Sequence, residues 1–362
     1  TWNLAERNTY TNKITGEGTL SIYCPLVNGG SWMAARTPVK CNMSEFEGTL
    51  KPQMPYKDNR FTLDNSYGLP KATMDIPDGM EVQNTGKTFA IGKVTGTGAL
   101  GGLVDFGNGV SGNNTWKVGN ETSYRWIGKV TGANTAFVKI GTGKLTVGAS
   151  WDNTGSVKVA EGELCLTSGN VIGTGAVVVD KDACLSGVTG TTALTNSSFT
   201  INGELVVGAF ANATSGKINF GGKNVTISTT GKYVVGKGSY SNTTIENVNT
   251  LTINGTVEVV LGSSYTPKDG DVVTLWTANQ FAGTPNYVLP NLPLGMAWDM
   301  SKISEGKLTV VSDPTAIGVV PFGAKYGRND IYDLKGQLVR KNATSTEGLP
   351  SGVYFRNGKK II

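Results

Sequence analysis

A short phrase of glycine followed by alternating aliphatic residues recurs along the chain and constrains its fold more than any other feature. Within each copy the third and fifth residues are aliphatic, so they lie on one face of a β-strand, while the residue between them lies on the other. Each copy predicts a short, half-buried strand that begins after a turn. The copies are Gly143–Val147, Gly155–Val159, Gly162–Leu166, Gly175–Val179, Gly203–Val207, Gly255–Val259 and Gly306–Val310.

A strand of this kind cannot bury its apolar face alone, and stacking of successive copies covers each aliphatic stripe with the next one. The separation of Gly143 from Gly162 predicts a coil of roughly 20 residues. A second phrase, Lys-(Ile/Val)-Thr-Gly, extends the repeats toward the N-terminal part at Lys13–Gly16, Lys93–Gly96 and Lys129–Gly132. We therefore predict an all-β chain in which residues 1–311 form a parallel β-helix, with 23–60 as an irregular, decorated stretch.

The composition agrees with this fold and limits the partners. Glycine accounts for 50 residues and charged residues for only 16%, against about 25% in typical domains. No amphipathic helix is recognisable, and no apolar run approaches the roughly 20 residues of a membrane-spanning helix. From residue 325 onward there are eight basic and three acidic residues, which account for the whole net charge of +5. The rest of the chain is neutral overall, which argues against nucleic acid as a partner.

The chain begins at Thr1 without an initiator methionine or a leader-like segment. We interpret this beginning as the result of processing or excision from a longer precursor. An upstream domain of the same precursor is therefore expected.

Four cysteines form two candidate disulfide pairs. Cys24 and Cys41 flank a loop that contains two prolines and two glycines, and a bond there would stabilise the fold by roughly 3 kcal/mol. Cys165 and Cys184 have the same separation in the sequence as Gly143 and Gly162, so a bond between neighbouring coils is geometrically conceivable. The alternative is four unpaired thiols, and the spacing leaves both readings open.

Catalytic and metal-binding chemistry has few candidate residues. The chain contains no histidine, which removes Ser-His-Asp and Cys-His catalysis and every histidine-based metal site. The paired aspartates at 180 and 182, and at 269 and 271, are interpreted as turns, with a calcium or catalytic role as the alternative. We predict no catalytic residue, no metal and no cofactor.

Four aromatic residues are candidates for glycan contact, because flat rings can stack on sugar faces. They lie close together in the sequence, where stacked coils bring neighbours together, and are Trp116, Tyr124, Trp126 and Trp151. The competing interpretation is that these rings fill the core of the β-helix.

The repeats resemble a known family of bacterial surface repeats. Lys13–Leu20, Glu45–Leu50 and Gly141–Val147 look like autotransporter-associated β-strand repeats. The segment 286–311 resembles the end of such an array. This resemblance implies a right-handed parallel β-helix.

The C-terminal residues resemble a second family. The segments 331–339 and 349–361 are similar to the C-terminal sorting domain of proteins exported by the Bacteroidota type IX secretion system. The resemblance implies a small Ig-like β-sandwich over 328–362 after a linker at 312–327, and contact with the secretion machinery. The motif residues are Tyr332, Asp333, Gly336, Leu349, Pro350, Gly352, Tyr354, Lys359 and Lys360.

These observations favour a non-catalytic extracellular or outer-surface protein whose β-helix acts as a stalk, display scaffold or adhesive structure. The expected partners are glycans or the surface of a host or neighbouring cell. The alternative is a carbohydrate-binding module or a polysaccharide-active enzyme of the same fold, which a groove with three or more convergent carboxylates would favour.

Overall fold

The structure is a computed structural model that describes residues 2–3, 11–23, 39–53, 60–102, 104–105, 109–110, 113–208, 214–313, 330–334, 337–343, 345–356 and 359–361. These residues form 36 strands, numbered β1 to β36 in chain order, and one 3-10 turn at Ile303–Glu305, with no α-helix among them. The prediction of an all-β chain is confirmed.

The largest element is a parallel sheet of 13 strands. Each strand pairs with the next one a coil further along the chain, as the repeats predict. In order the strands are β1 (Trp2–Asn3), β3 (Thr19–Tyr23), β5 (Thr49–Gln53), β7 (Leu69–Ile76), β9 (Thr88–Gly96), β13 (Asn114–Val118), β16 (Thr135–Lys139), β18 (Val157–Val159), β20 (Val177–Val179), β22 (Ser198–Ile201), β24 (Gly216–Ile227), β26 (Thr243–Ile253) and β29 (Trp276–Ala282).

Further parallel sheets supply the other sides of the coils. An eight-stranded sheet contains β14 (Tyr124–Trp126), β17 (Lys144–Val147), β19 (Glu163–Leu166), β21 (Cys184–Gly187), β23 (Glu204–Val207), β25 (Lys232–Lys237), β27 (Thr256–Leu261) and β30 (Asn286–Val288). Smaller parallel sheets contain β15 (Lys129–Val130), β10 (Ala99–Gly101), β8 (Glu81–Asn84) and β6 (Arg60–Leu63), and the pair β2 (Lys13–Gly16) and β4 (Asn42–Phe46). The chain is therefore a parallel β-solenoid, as predicted.

Register partners show the length of a coil directly. Phe137 pairs with Val157, and Val157 pairs with Val177, so successive coils are separated by equal steps along the chain here. Later coils are longer, because Leu251 pairs with Phe281. The predicted coil length holds in the middle of the solenoid, and the later coils, which contain the long strands β24 and β26, exceed it.

The core is the stack of inward-facing side chains from successive coils. The row Phe137, Val157, Val177, Phe199 and Val225 is at most 1% exposed. Burying one such side chain contributes roughly 1.5–3 kcal/mol. Repetition of this contribution along the chain drives the stacking of coils.

Glycine begins the repeat phrase because the backbone of the adjacent coil approaches it closely. A Cβ atom at Gly175 would lie 2.1 Å from the carbonyl oxygen of Gly155, its counterpart one coil earlier. At Gly255 the corresponding distance, to the oxygen of Gly231, is 2.0 Å. The glycine of the repeat phrase therefore marks a corner of the coil where a side chain does not fit.

Buried asparagines bind the backbone at these corners. Asn153 donates from Nδ2 to the carbonyl oxygens of Thr135 (2.9 Å) and Gly155 (3.2 Å). Asn196 donates in the same way to Ile172 (3.0 Å) and Gly175 (2.9 Å). The Asn153 amide thus binds carbonyls of two coils, and the Asn196 amide binds two carbonyls of the preceding coil. Both amides satisfy groups that the turns leave unpaired.

The described residues divide into two compact units. The first comprises 1–265, 274–289 and 304–306, and the second comprises 266–273, 290–303 and 307–362. Two small sheets complete the strands before residue 313. They are the hairpin β11 (Val104–Asp105) and β12 (Gly109–Val110), and the sheet of β28 (Val272–Thr274), β32 (Lys307–Ser312) and β31 (Met296–Asp299).

The seventh copy of the glycine phrase behaves differently from the others. It forms β32, which pairs antiparallel with β31 and lies in neither of the two large parallel sheets. Within 23–60, the described strands β4 and β5 lie in the parallel sheets. The stretches 24–38, 54–59 and 314–329 lie outside the described residues, and the last of these contains most of the predicted linker, 312–327.

The C-terminal strands form a four-stranded antiparallel sheet in the order β34 (Leu338–Arg340), β33 (Ile331–Asp333), β35 (Tyr354–Arg356) and β36 (Lys359–Ile361). Ile331 is fully buried there. The all-β character of this segment agrees with the prediction, while an Ig-like sandwich and the hand of the solenoid stay predictions.

Candidate functional site

The four aromatic residues predicted to contact glycans lie on the inward side of their strands. Trp116, Trp126 and Trp151 are at most 2% exposed. The indole of Trp151 packs on Phe137 with ring centroids 4.6 Å apart and on Trp126 at 6.1 Å. The burial of these three rings favours the competing interpretation, in which they fill the core of the β-helix.

Tyr124 is half-buried at the start of β14. Its hydroxyl accepts a hydrogen bond from the Val94 backbone at 3.4 Å, and the Lys93 ammonium lies 5.4 Å from its ring centroid. Burial raises the pKa of Tyr124 to about 12. The Tyr124 ring therefore has the Lys93 ammonium beside it, and its hydroxyl is bound to the backbone of the neighbouring strand.

The candidate bond between Cys165 and Cys184 is not formed, and both residues are thiols, which is the alternative that the spacing left open. The register sets Cys184 opposite Glu163 and Cys165 opposite Ser186, so the two cysteines lie diagonally across neighbouring strands. Such a diagonal separates the Cα atoms by more than the spacing of adjacent strands, which is unfavourable for a disulfide. Cys41 is buried, and its predicted partner Cys24 lies outside the described residues.

A row of polar side chains crosses five strands of the eight-stranded sheet. This charged row consists of Lys144, Glu163, Cys184, Glu204 and Lys232, which the register places side by side. Lys144 pairs with Glu163 at 2.7 Å, and Lys232 pairs with Glu204 at 2.8 Å. Glu163 also accepts a hydrogen bond from Ser186. The row is thus neutralised by its own ion pairs.

Cys184 occupies the middle of the charged row, between the two glutamates. Burial, with the negative charges of Glu163 and Glu204, raises the pKa of the Cys184 thiol to about 12. The thiolate is the reactive form of cysteine. The thiol stays protonated at neutral pH and is a poor nucleophile.

A cleft of about 570 Å³ opens beside Cys184 and contains two carboxylates, Asp182 and Glu204. The hydrogen bond to Glu204 raises the pKa of Lys232, which also contacts Glu258 at 3.3 Å. Glu204 is therefore committed to an ion pair, whereas a glycosidase needs one carboxyl group held ready as an acid. The cleft is therefore interpreted as a gap between turns and not as a catalytic centre.

Ion pairs of the same kind join lysines to carboxylates of neighbouring coils elsewhere in the solenoid. They are Lys40–Asp64 (3.4 Å), Lys51–Asp75 (3.2 Å), Lys71–Glu45 (2.9 Å), Lys71–Glu47 (3.3 Å), Lys87–Asp64 (2.8 Å), Lys129–Asp152 (3.8 Å), Lys158–Asp180 (2.7 Å) and Lys217–Glu246 (3.1 Å). An exposed pair contributes only about 0–1 kcal/mol. Their main consequence is that carboxylates are matched with lysines instead of converging on one another.

The paired aspartates lie in turns, as the sequence indicates. Asp180 pairs with Lys158, and Asp182 adopts a left-handed backbone conformation with φ of 67°. Asp271 accepts a hydrogen bond from the Lys268 backbone at 2.9 Å, and Asp269 accepts one from Ser312 at 2.6 Å. The described part of the chain contains no group of three or more Asp, Glu, Cys or His residues able to hold a metal ion.

One buried lysine was not identified from the sequence. Lys139, at the end of β16, is only 1% exposed. Its Nζ donates to the carbonyl oxygens of Ile140 (2.8 Å), Gly141 (2.7 Å) and Glu161 (3.2 Å). Burial lowers the pKa of Lys139 to about 8, and attraction to Glu161 and Glu163 opposes that shift. Lys139 is therefore a cation whose hydrogen bonds link the turns of two coils.

The predicted sorting residues lie in the C-terminal sheet and its turns. The Asp333 carboxylate accepts a hydrogen bond from the Gln337 backbone at 2.9 Å, which closes the β33–β34 turn. Tyr354 donates from its hydroxyl to the carbonyl of Pro350 at 2.8 Å. Tyr332 lies in β33, Lys359 and Lys360 lie in β36, Leu349 and Gly352 precede β35, and Gly336 lies outside the described residues.

Comparison with known proteins does not name a family for this chain. No protein-family model matches it, and no curated protein matches it significantly. In the part of the chain that the structure describes, no helix is long and apolar enough to cross a membrane.

Proposed function

We propose that this chain is a non-catalytic structural segment of an extracellular or cell-surface protein, in which the solenoid acts as a stalk or display scaffold. The observation that carries the proposal is the matching of lysines and carboxylates across neighbouring coils. Ion pairs of this kind favour correct alignment of coils, because like charges placed opposite each other would be destabilising.

The alternative, a polysaccharide-active enzyme, is tested at the cleft beside Cys184. We expect no release of reducing ends when the chain is incubated with a panel of neutral and acidic polysaccharides, with or without calcium. The Glu204→Gln variant should behave identically to the parent. Product release that is lost in Glu204→Gln would overturn the structural proposal and assign catalysis to this cleft.

We further propose that the C-terminal sheet is an export module, with an Ig-like fold and a role in type IX secretion, in a protein of Bacteroidota origin. The sequence resemblance at 331–339 and 349–361 supports this, as do the turns held by Asp333 and Tyr354 in an antiparallel sheet.

The export proposal is tested by deleting 330–362 from the protein expressed in a host that has this secretion system. We expect the parent to reach the outer surface or medium and the deletion variant to accumulate in the periplasm. A variant that lacks one central coil, 157–176, is the control for general damage. Equal export with and without the C-terminal sheet would refute this role.

A further inference from the structure

The outer face of the 13-stranded sheet changes its chemistry along the chain. On earlier strands it carries ion pairs such as Lys51–Asp75 and Lys158–Asp180. On β22, β24, β26 and β29, the segments 198–201, 224–228, 249–253 and 277–282 contain no charged residue. We call the outward side chains of these four segments the amide–hydroxyl face. Lys223 borders it on one side, and the ion pair Lys217–Glu246 lies nearer the start of β24 and β26, outside these segments.

Threonines form a continuous row across this face. The register sets Thr200 beside Thr226 and Thr226 beside Thr252 on three successive coils. Each threonine is half-buried at its base between inward-facing neighbours. Among the described residues these three hydroxyl groups have no side-chain partner. They recur at the spacing of parallel strands, about 4.8 Å, and remain open to a ligand or water.

Asparagines form a second row on the same face. Asn249 donates from Nδ2 to Oδ1 of Asn224 at 3.0 Å, and Asn279 donates to Asn249 at 3.5 Å. These bonds between coils hold the amide planes in place. Each amide carries two N–H groups and a carbonyl with two lone pairs, so donors and acceptors remain available on the solvent side.

A fixed array of uncharged donors and acceptors selects a particular class of ligand. A neutral polysaccharide offers hydroxyl groups that both donate and accept along an extended polymer. An anionic polymer would lose hydration of its charges without meeting a cation on this face, apart from Lys223 at its border. Individual hydrogen bonds exchanged with water contribute only about 1 kcal/mol each, so affinity depends on repetition along the coils.

We propose that the amide–hydroxyl face of β22, β24, β26 and β29 binds neutral polysaccharide chains by hydrogen bonding. The contact differs from the aromatic stacking expected from the sequence, since the tryptophans are buried. It is independent of the structural role proposed above, because a stalk needs no ligand.

The test is binding of the full chain to immobilised mixed-linkage β-glucan by biolayer interferometry in 0.3 M NaCl, with polygalacturonate as the charged comparison. We expect measurable binding to the glucan, little dependence on salt, and weaker binding to polygalacturonate. The double variant Thr226→Ala/Thr252→Ala should weaken glucan binding at least fivefold. The control Thr115→Ala, a half-buried outward threonine on the charged part of the same sheet, should bind as the parent does.

Thermal unfolding of each variant is the check that the fold is retained, and we expect little change because outward threonines contribute little to the core. Absence of glucan binding by the folded parent would overturn the proposal. Unchanged binding by the double variant would overturn it as well. A dimer of the parent that dissociates in the double variant would assign the face to self-association instead.

Discussion

Lys139 is a charged side chain whose three hydrogen-bond partners are all backbone carbonyls. Folding lowers its pKa from 10.5 to about 8, so between these values the unfolded chain binds the proton more strongly. Stability attributable to this residue should therefore rise with pH from about 8 and level off near 10.5.

The prediction is measured by urea unfolding at pH 7.5 and 9.5. The parent should gain about 1–2 kcal/mol over this interval relative to Lys139→Met. Lys117→Met, which removes an exposed lysine of β13, should leave the pH dependence of the parent unchanged. Parallel pH profiles for the parent and Lys139→Met would show that the buried amine does not titrate in this window.

Trp151 provides a second test at the scale of single residues. Replacement by alanine removes contacts with Phe137 and Trp126 and should destabilise the fold by about 3–5 kcal/mol. Tyr240, which is fully exposed, is the control, and Tyr240→Ala should change stability by less than about 0.5 kcal/mol. Comparable effects in chemical denaturation would contradict the core position of Trp151.

The burial of a single residue could be predicted from the sequence, whereas its partner on the next strand could not. In Thr135–Lys139, alternation places Lys139 on the same side as Phe137, so its burial was predictable from the strand pattern. The pairing of Cys165 with Ser186 was not, because a register offset depends on turn lengths that periodicity does not fix.

At the scale of the element, we predict how much stability is lost when the glycine that begins a repeat phrase is replaced by alanine. Gly175→Ala places a methyl group 2.1 Å from the Gly155 carbonyl oxygen, and such overpacking should cost about 3 kcal/mol. Gly169→Ala meets no atom within 4 Å but has a φ of 86°, so only backbone strain of about 1 kcal/mol is expected.

Thermal and urea unfolding of the two alanine variants provide the comparison. A Gly169→Ala variant less stable than Gly175→Ala would mean that backbone conformation, and not contact between coils, explains the repeat phrase.

Six of the seven glycine phrases form strands of the parallel sheets, because alternation of aliphatic residues specifies both the strand and its buried side. The seventh has the same pattern in β32 yet pairs antiparallel with β31. The pattern determines which face is buried, and neighbouring strands determine the direction of pairing. Strand existence was therefore predictable here, whereas pairing partners were not.

At the scale of the whole molecule, contacts between coils are mainly between nearest neighbours, so damage should spread over a short distance. In Trp151→Ala we expect faster hydrogen exchange in β16 and β20, the strands on either side of β18, which follows Trp151 in the same coil. Protection in β26 should remain at the level of the parent. Exchange measured by mass spectrometry distinguishes this outcome from uniform loss of protection, which would indicate a single cooperative unit.

The parallel solenoid followed from repeats that extend over most of the chain, and the charge balance followed from composition. The amide–hydroxyl face could not be recognised in the same way. Its threonines recur at equal separations, but these are longer than the step from Val157 to Val177 that the glycine phrase predicts. The register is what places 200, 226 and 252 in one row. A surface assembled from distant segments requires the pairing of strands to be known.

The equal advance from Phe137 to Val157 and from Val157 to Val177 makes a coil an interchangeable module. Removing one such segment would bring the next strand into nearly the same position, so the length of the solenoid can change by duplication or loss of a whole coil. The number of coils can therefore change by whole units while each remaining coil keeps its fold.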